Sequence, residues 1–341
     1  MMQPPAGREA PRCCVPGTRA TAVGHAAQAL ATPTLPAELE DLEPGMASPA
    51  QARQAVRALC GHYENFSLAS FFLPPRLRAP LRSIYAFARF SDDLADEDNG
   101  LSAQAAVAGH SLPELRRQRL LHWVSLVEKL PETADRHPIL HCLWEDAQSH
   151  ALPLEECRKL LEAFVQDQDP PDFPHDQAVL DYCRLSAAPV GRLLLALNGV
   201  GARHPRWTRI LAASDALCAG LQLANFWQDL SRDLPQGRLY IPRQRLQEHG
   251  FPANPHQLVA GRGDAQALME ALLDWAEALL RQGRELSDLV GGRFGLEIRL
   301  YAGGGMEIVR KSRALGQDLL HARPQVKALD KVRIGCSALW G

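Results

Sequence analysis

The sequence predicts an all-α protein folded as one helical bundle, and three observations carry that prediction. From Ser48 onward, apolar residues recur at three- and four-residue spacing in segment after segment, while strand-like alternation is scarce. Turn-forming residues separate these segments at Leu73-Pro74-Pro75, Asp98-Asn99-Gly100, Asp169-Pro170-Pro171, Leu234-Pro235-Gln236-Gly237 and across 250–263. None of these breaks resembles a flexible interdomain linker, and no repeat of roughly 30–50 residues is visible, which disfavours a solenoid.

In chain order, residues 1–46 are rich in Ala, Pro, Thr and Gly without a lasting period, and are expected to form a disordered tail. Because patterned sequence begins just past Met46, a translation start there is a further expectation. Helices are expected over 49–65, 75–97, 113–130, 138–149, 153–167, 176–199, 206–234, 264–289 and 294–322. Together they make one domain over 47–330, followed by a C-terminal tail over 331–341. Pro189 should kink the helix that holds it, because it removes one backbone hydrogen bond. Gly303, Gly304 and Gly305 should weaken another by about 1 kcal/mol each relative to Ala. Both features suggest helices bent around a cavity.

With 341 residues, 46% of them hydrophobic, the chain has ample material for a buried core. Its net charge of -2 argues against a dominant nucleic-acid role, which needs a strongly basic footprint. The eight cysteines form no CxxC pair and fall mostly in apolar helical stretches, as reduced thiols do in a reducing, cytoplasmic setting. No run approaches the roughly twenty apolar residues needed to cross a bilayer. Peripheral contact at the inner face of a membrane stays open.

The chemistry is written in two acidic clusters about 130 residues apart. Asp92, Asp93 and Asp96 fall in FSDDLADE, and Asn225, Asp229 and Asp233 in LQLANFWQDLSRD. Residues four apart share one helix face, so each cluster is a row of oxygen ligands. An ordinary acidic face is solvated, whereas these rows follow the apolar runs IYAFARF and ALCAGLQLANFW. Like charges in such surroundings need cations or donors. Hard divalent ions such as Mg2+ take oxygen ligands and keep some waters and substrate phosphate oxygens, which implies a phosphorylated small molecule. The absence of GxxxxGK[ST] and of a helix-opening GxGxxG excludes the usual nucleotide cradles. Arg89 and Tyr85 can share the acidic face of their helix, and Arg89 suits either a diphosphate or the neighbouring aspartates.

HYENF (62–66), IYAFARFSDDLADE (84–97), DYCRLSAAPVG (181–191) and GLQLANFWQDLSRDLPQGRLYIP (220–242) resemble the squalene and phytoene synthase family of class I isoprenoid synthases. The likeness spans about 47–330, and within the family these motifs are similar to those of hopanoid-pathway hydroxysqualene synthases. The resemblance implies an all-α isoprenoid synthase domain with a central cavity, Mg2+ as cofactor, and a prenyl diphosphate, presqualene diphosphate, as substrate. It implies Asp92, Asp96, Asn225, Asp229 and Asp233 as metal ligands, and His62, Asn65, Phe66, Tyr85, Arg89 and Gln222 as substrate contacts. Tyr182 would line the pocket, and the rings of Phe66, Phe226 or Trp227 could steady a carbocation. Tyr182 or Asn225 would hold the water that ends the reaction, and handover with other squalene-pathway enzymes is a further expectation.

Three departures favour the later half-reaction over head-to-head condensation of two prenyl diphosphates. Gln228 stands where many relatives carry Arg, SAAPVG replaces the AGxVG of a YxxAGxVG pattern, and Gly305 replaces a Tyr near the diphosphate. A noncatalytic helical scaffold and a simple trans-prenyl chain elongator are further readings; five retained ligand positions weigh against the first, and YAFAR and LQLANFWQD against the second.

Overall fold

A computed structural model of the chain describes residues 42–45, 48–61, 74–98, 101–252 and 263–340. Most of the expected N-terminal tail and the candidates His62, Asn65 and Phe66 lie outside the described residues. The helices are α1 (Pro49–Gly61), α2 (Pro75–Asp96), α3 (Leu101–Ala108), α4 (Leu112–Glu128), α5 (Pro138–His150), α6 (Leu154–Gln166) and α7 (Asp176–Ser186). They continue with α8 (Ala188–Leu197), α9 (Trp207–Gln228), α10 (Leu230–Asp233), α11 (Arg243–Glu248), α12 (Ala265–Val290), α13 (Gly292–Leu315) and α14 (Ala328–Trp340). No strand occurs among the described residues, and none of their helices is long and apolar enough to cross a membrane.

Two apolar clusters divide the bundle. The first gathers α1, α2, α4, α5 and α6 around Phe87, Trp123, Leu140, Leu143 and Leu161. The second gathers α7, α9, α12 and α13 around Val179, Leu217, Leu223, Trp227, Leu272 and Leu280. Helix α8 serves both, sending Leu193 and Leu197 into the first and Leu195 into the second. The acidic stretches of α2 and α9 therefore belong to different clusters, and their polar faces meet where the two adjoin.

Close backbone approach fixes α9 against α12. A Cβ on Gly283 would stand 2.5 Å from the Leu217 backbone, and one on Gly220 would stand 2.8 Å from Leu280 N. No side chain fits at either point, so glycine sets the spacing that holds the second acidic row.

Several expected elements divide differently. The stretch 176–199 is two helices, because the chain breaks at Ala187 (φ -127°, ψ -48°) and Pro189 opens α8, where its missing N–H costs nothing. The glycine run 303–305 does not interrupt α13, which is continuous over Gly292–Leu315. A Cβ on Gly305 would come within 2.8 Å of Leu221 and 2.9 Å of Leu280, so tight packing offsets its weak propensity. Residues 331–340, expected as a tail, belong to α14, which lies on α13 through Lys311–Asp330 at 2.8 Å and a pair between Arg333 and Glu307.

One buried acid lies apart from the acidic rows. Glu297 on α13 is 4% exposed, its Oε1 lacks a hydrogen-bond partner among the described residues, and burial pushes its carboxyl up to about 7. The folded protein holds this proton where the unfolded chain has released it, so stability falls as pH rises from the ordinary glutamate value of 4.5 towards about 7. Glu297→Gln is expected to raise stability near pH 8 by on the order of 1–3 kcal/mol and to change little near pH 4. Thermal melts of both proteins at the two pH values check this.

Candidate active site

The two acidic rows end their helices. Asp92 lies one turn before Asp96, the final residue of α2. Gln222 and Asn225 occupy the last turns of α9, Asp229 is its C-cap with a backbone N–H donated to Asn225 O at 2.9 Å, and Asp233 closes α10. The second row thus turns at Asp229 (φ -98°, ψ 6°) where a straight helix over 206–234 is expected. Carboxylates at helix C-termini face the negative end of the macrodipole, which adds to their mutual repulsion.

Asp92, Asp96, Gln222, Asn225, Asp229, Asp233 and Tyr182 all line one cavity of about 350 Å³. Asp167, at the end of α6, and Arg238, in GRLYIP, join them there. A larger cavity of about 540 Å³ lies between α12, α13 and α14, but it holds neither acidic row. Volume alone therefore does not locate the site.

Repulsion and burial show in the acidities. Asp92 is pushed above the ordinary carboxylate range by burial and then by Asp96. Asp233 is pushed up to about 6 by burial and then by Asp229. Burial also pushes Asp167 up to about 6, against the opposing effect of Tyr182 Oη, which donates to both its oxygens at 2.7 and 2.8 Å. Guanidinium groups relieve part of the strain. Arg238 forks onto Asp96 through both terminal nitrogens, and Arg323 grips Asp229 through Nε and Nη2. The buried Gln228 donates from Nε2 to Pro324 O at 2.7 Å, tying down the segment that presents Arg323. The Gln228 amide thus anchors a guanidinium from the far end of the chain.

Below the acidic rim the wall is aromatic. Phe226 and Tyr240 stack with centroids 3.9 Å apart at 3°, and Tyr182 stands 6.2 Å from Phe226 and 5.9 Å from Tyr240. Trp227 points away and is fully buried in the second cluster. Arg89 pairs with Asp92 and Asp93 at 2.6 Å each and with Glu97 at 3.2 Å, and neither it nor Tyr85 lines the cavity. The sequence gives no pattern for Asp167 or Arg323. Arg238 and Tyr240 were within reach, since both lie in the GRLYIP motif.

A divalent cation suits this donor set on its chemistry. The rows offer hard oxygen ligands whose pKa values are raised by burial and then by the neighbouring carboxylates, so added positive charge would stabilise their ionised form. Among the described residues no three acidic or histidine side chains are gathered about one point. Mg2+ does not require that, because it commonly takes one or two carboxylates and completes its shell with water and phosphate.

The squalene/phytoene synthase profile matches residues 59–330. The chain belongs to the squalene/phytoene synthase family. Over 281 residues it is 32% identical to a hydroxysqualene synthase from Sinorhizobium fredii, covering 81% of this chain and 88% of that protein. A phytoene synthase from Cereibacter sphaeroides is 33% identical over 203 residues, but the match covers only 59% of this chain and 53% of that protein. Among solved structures, squalene synthase HpnC from Alicyclobacillus acidocaldarius superposes with a TM-score of 0.68 at 32% identity, over 79% of this chain and 95% of that one. Members of this family bind prenyl diphosphates.

Arg238 holds the first acidic row and faces Asp167 and Asp233 as well. Arg238→Gln is expected to lower diphosphate release from a prenyl diphosphate by about a hundredfold, and Arg238→Lys to recover part of the loss, because ammonium lacks the planar fork. Steady-state assays of released diphosphate, with circular dichroism to verify folding, check this.

Proposed function

We propose that the chain is a hydroxysqualene synthase, converting presqualene diphosphate and water into hydroxysqualene and diphosphate as a diphosphate-releasing lyase of hopanoid and squalene biosynthesis. The observation that carries this reading is the cavity in which two acidic rows, the Arg238 guanidinium and an aromatic wall meet, with Arg323 held on Asp229 of the second row. Similarity to a hydroxysqualene synthase along most of both chains supports the choice of substrate.

Asp92, Asp96, Asn225, Asp229 and Asp233 would hold Mg2+, which supplies Lewis-acid charge where negative charge develops on the leaving diphosphate. Arg238 and Arg323, resting on Asp96 and Asp229, stand ready to donate to diphosphate oxygens from opposite rows. The faces of Phe226, Tyr240 and Tyr182 enclose the carbocation in apolar surroundings and stabilise it through their π electrons. Tyr182 Oη donates to Asp167, which fixes the orientation of its ring in the cavity wall.

Head-to-head condensation would use the same acidic rows, and the partial match to a phytoene synthase keeps that rival in view. A Cβ on Gly305 would press on the δ-methyl groups of Leu221 and Leu280, so a larger residue there would require those side chains to move.

Purified protein supplied with Mg2+ and presqualene diphosphate is expected to yield hydroxysqualene, and farnesyl diphosphate alone to yield nothing. Chromatography with mass detection reads both. Presqualene diphosphate, squalene or phytoene formed from the shorter prenyl diphosphates would establish the rival instead.

A further inference from the structure

Ser186 is the last residue of α7, one turn beyond Tyr182, and it lines the same cavity. Its Oγ is shielded from bulk solvent and has no hydrogen-bond partner among the described residues. A helical serine commonly satisfies its hydroxyl on the carbonyl four residues back, and this one does not. Buried polar groups are nearly always paired, so an orphaned hydroxyl in a cavity wall points to a partner that comes with the reaction.

The chain breaks at Ala187, directly after Ser186, so the end of α7 presents its last side chain at the cavity wall. Nearby, the cavity wall is made of the rings of Tyr182, Phe226 and Tyr240, and the Tyr182 hydroxyl is already taken by Asp167. A bound water needs two or more polar partners, and the cavity that Ser186 lines also carries the side-chain amide of Gln222.

We propose that Ser186 Oγ positions the water that captures the final carbocation, an inference that rests on the function proposed for this site. Diphosphate departs with the electron pair of its C–O bond, leaving an electron-deficient carbon. A lone pair of the water oxygen forms the new C–O bond, and the water proton passes to the released diphosphate, so no oxidant or reductant enters. Ser186 gains and loses no covalent bond; it is a positioning residue. Without an ordered water, the same cation loses a C–H proton to diphosphate and leaves as a hydrocarbon.

The full-length protein, Mg2+ and presqualene diphosphate in ¹⁸O-labelled water test this, with alcohol, hydrocarbon and released diphosphate measured together. Wild type is expected to give labelled alcohol. Ser186→Ala is expected to shift the product ratio from alcohol to hydrocarbon by about tenfold or more, with diphosphate release held within about threefold. Ser186→Thr, which keeps the hydroxyl, is expected to restore the alcohol. An unchanged product ratio in Ser186→Ala overturns the inference, as does a uniform loss of turnover at constant ratio, which marks a structural role only. A wild-type protein that ionises presqualene diphosphate but makes no alcohol overturns the proposed function itself, and is distinguishable from both.

Discussion

Crowding of carboxylates at helix ends is the constraint from which the rest of the site follows. Asp96 ends α2, where the negative end of a helix adds to the repulsion from its acidic neighbours, while Asp229 sits between α9 and α10 and Asp233 one turn further on. Such an arrangement is unfavourable by itself, and burial together with mutual repulsion raises the pKa values of Asp92, Asp167 and Asp233. Arg238 on Asp96 and Arg323 on Asp229 offset it in part, one guanidinium for each row. A hollow that remains electronegative after two guanidinium groups have been added is suited to more positive charge, and metal with diphosphate answers that need.

The scaffold keeps those charges from drifting apart. The rows belong to different apolar clusters, joined through α8, and the glycine contacts between α9 and α12 leave no slack for the second row to retreat. Gln228 extends the same control to the far end of the chain by tethering Pro324 next to Arg323. The aromatic wall completes the division of labour, with ionisation at a polar rim and a carbocation below it among Phe226, Tyr240 and Tyr182.

Much of this was legible in the sequence, for physical reasons that also mark where legibility stopped. Residues four apart on apolar helices disclosed Asp92 with Asp96, and Asn225 with Asp229 and Asp233, and all five line one cavity. Periodicity could not disclose the turn at Asp229, because apolar spacing continues through a cap that is defined by backbone angles. Pro189 was read as a kink, but proline is tolerated at a helix start, so the chain could divide at Ala187 and open α8 there. Short α3 and α11 carry too few turns for a period to register, and α14 lies beyond the stretch where helical patterning is strong. Asp167 and Arg323 reach the site only through tertiary packing, which no spacing along the chain encodes.

The decisive quantity is metal-dependent affinity for diphosphate, read by calorimetric titration of inorganic diphosphate with and without Mg2+. The account predicts tight binding only with Mg2+, and a loss of about tenfold or more in both Asp92→Asn and Asp229→Asn. Asp93→Asn should bind almost as wild type does, since Asp93 is held by Arg89 and does not line the cavity. Binding that ignores Mg2+, or that survives loss of either row, would contradict the claim that the two rows act together on one metal-bound diphosphate.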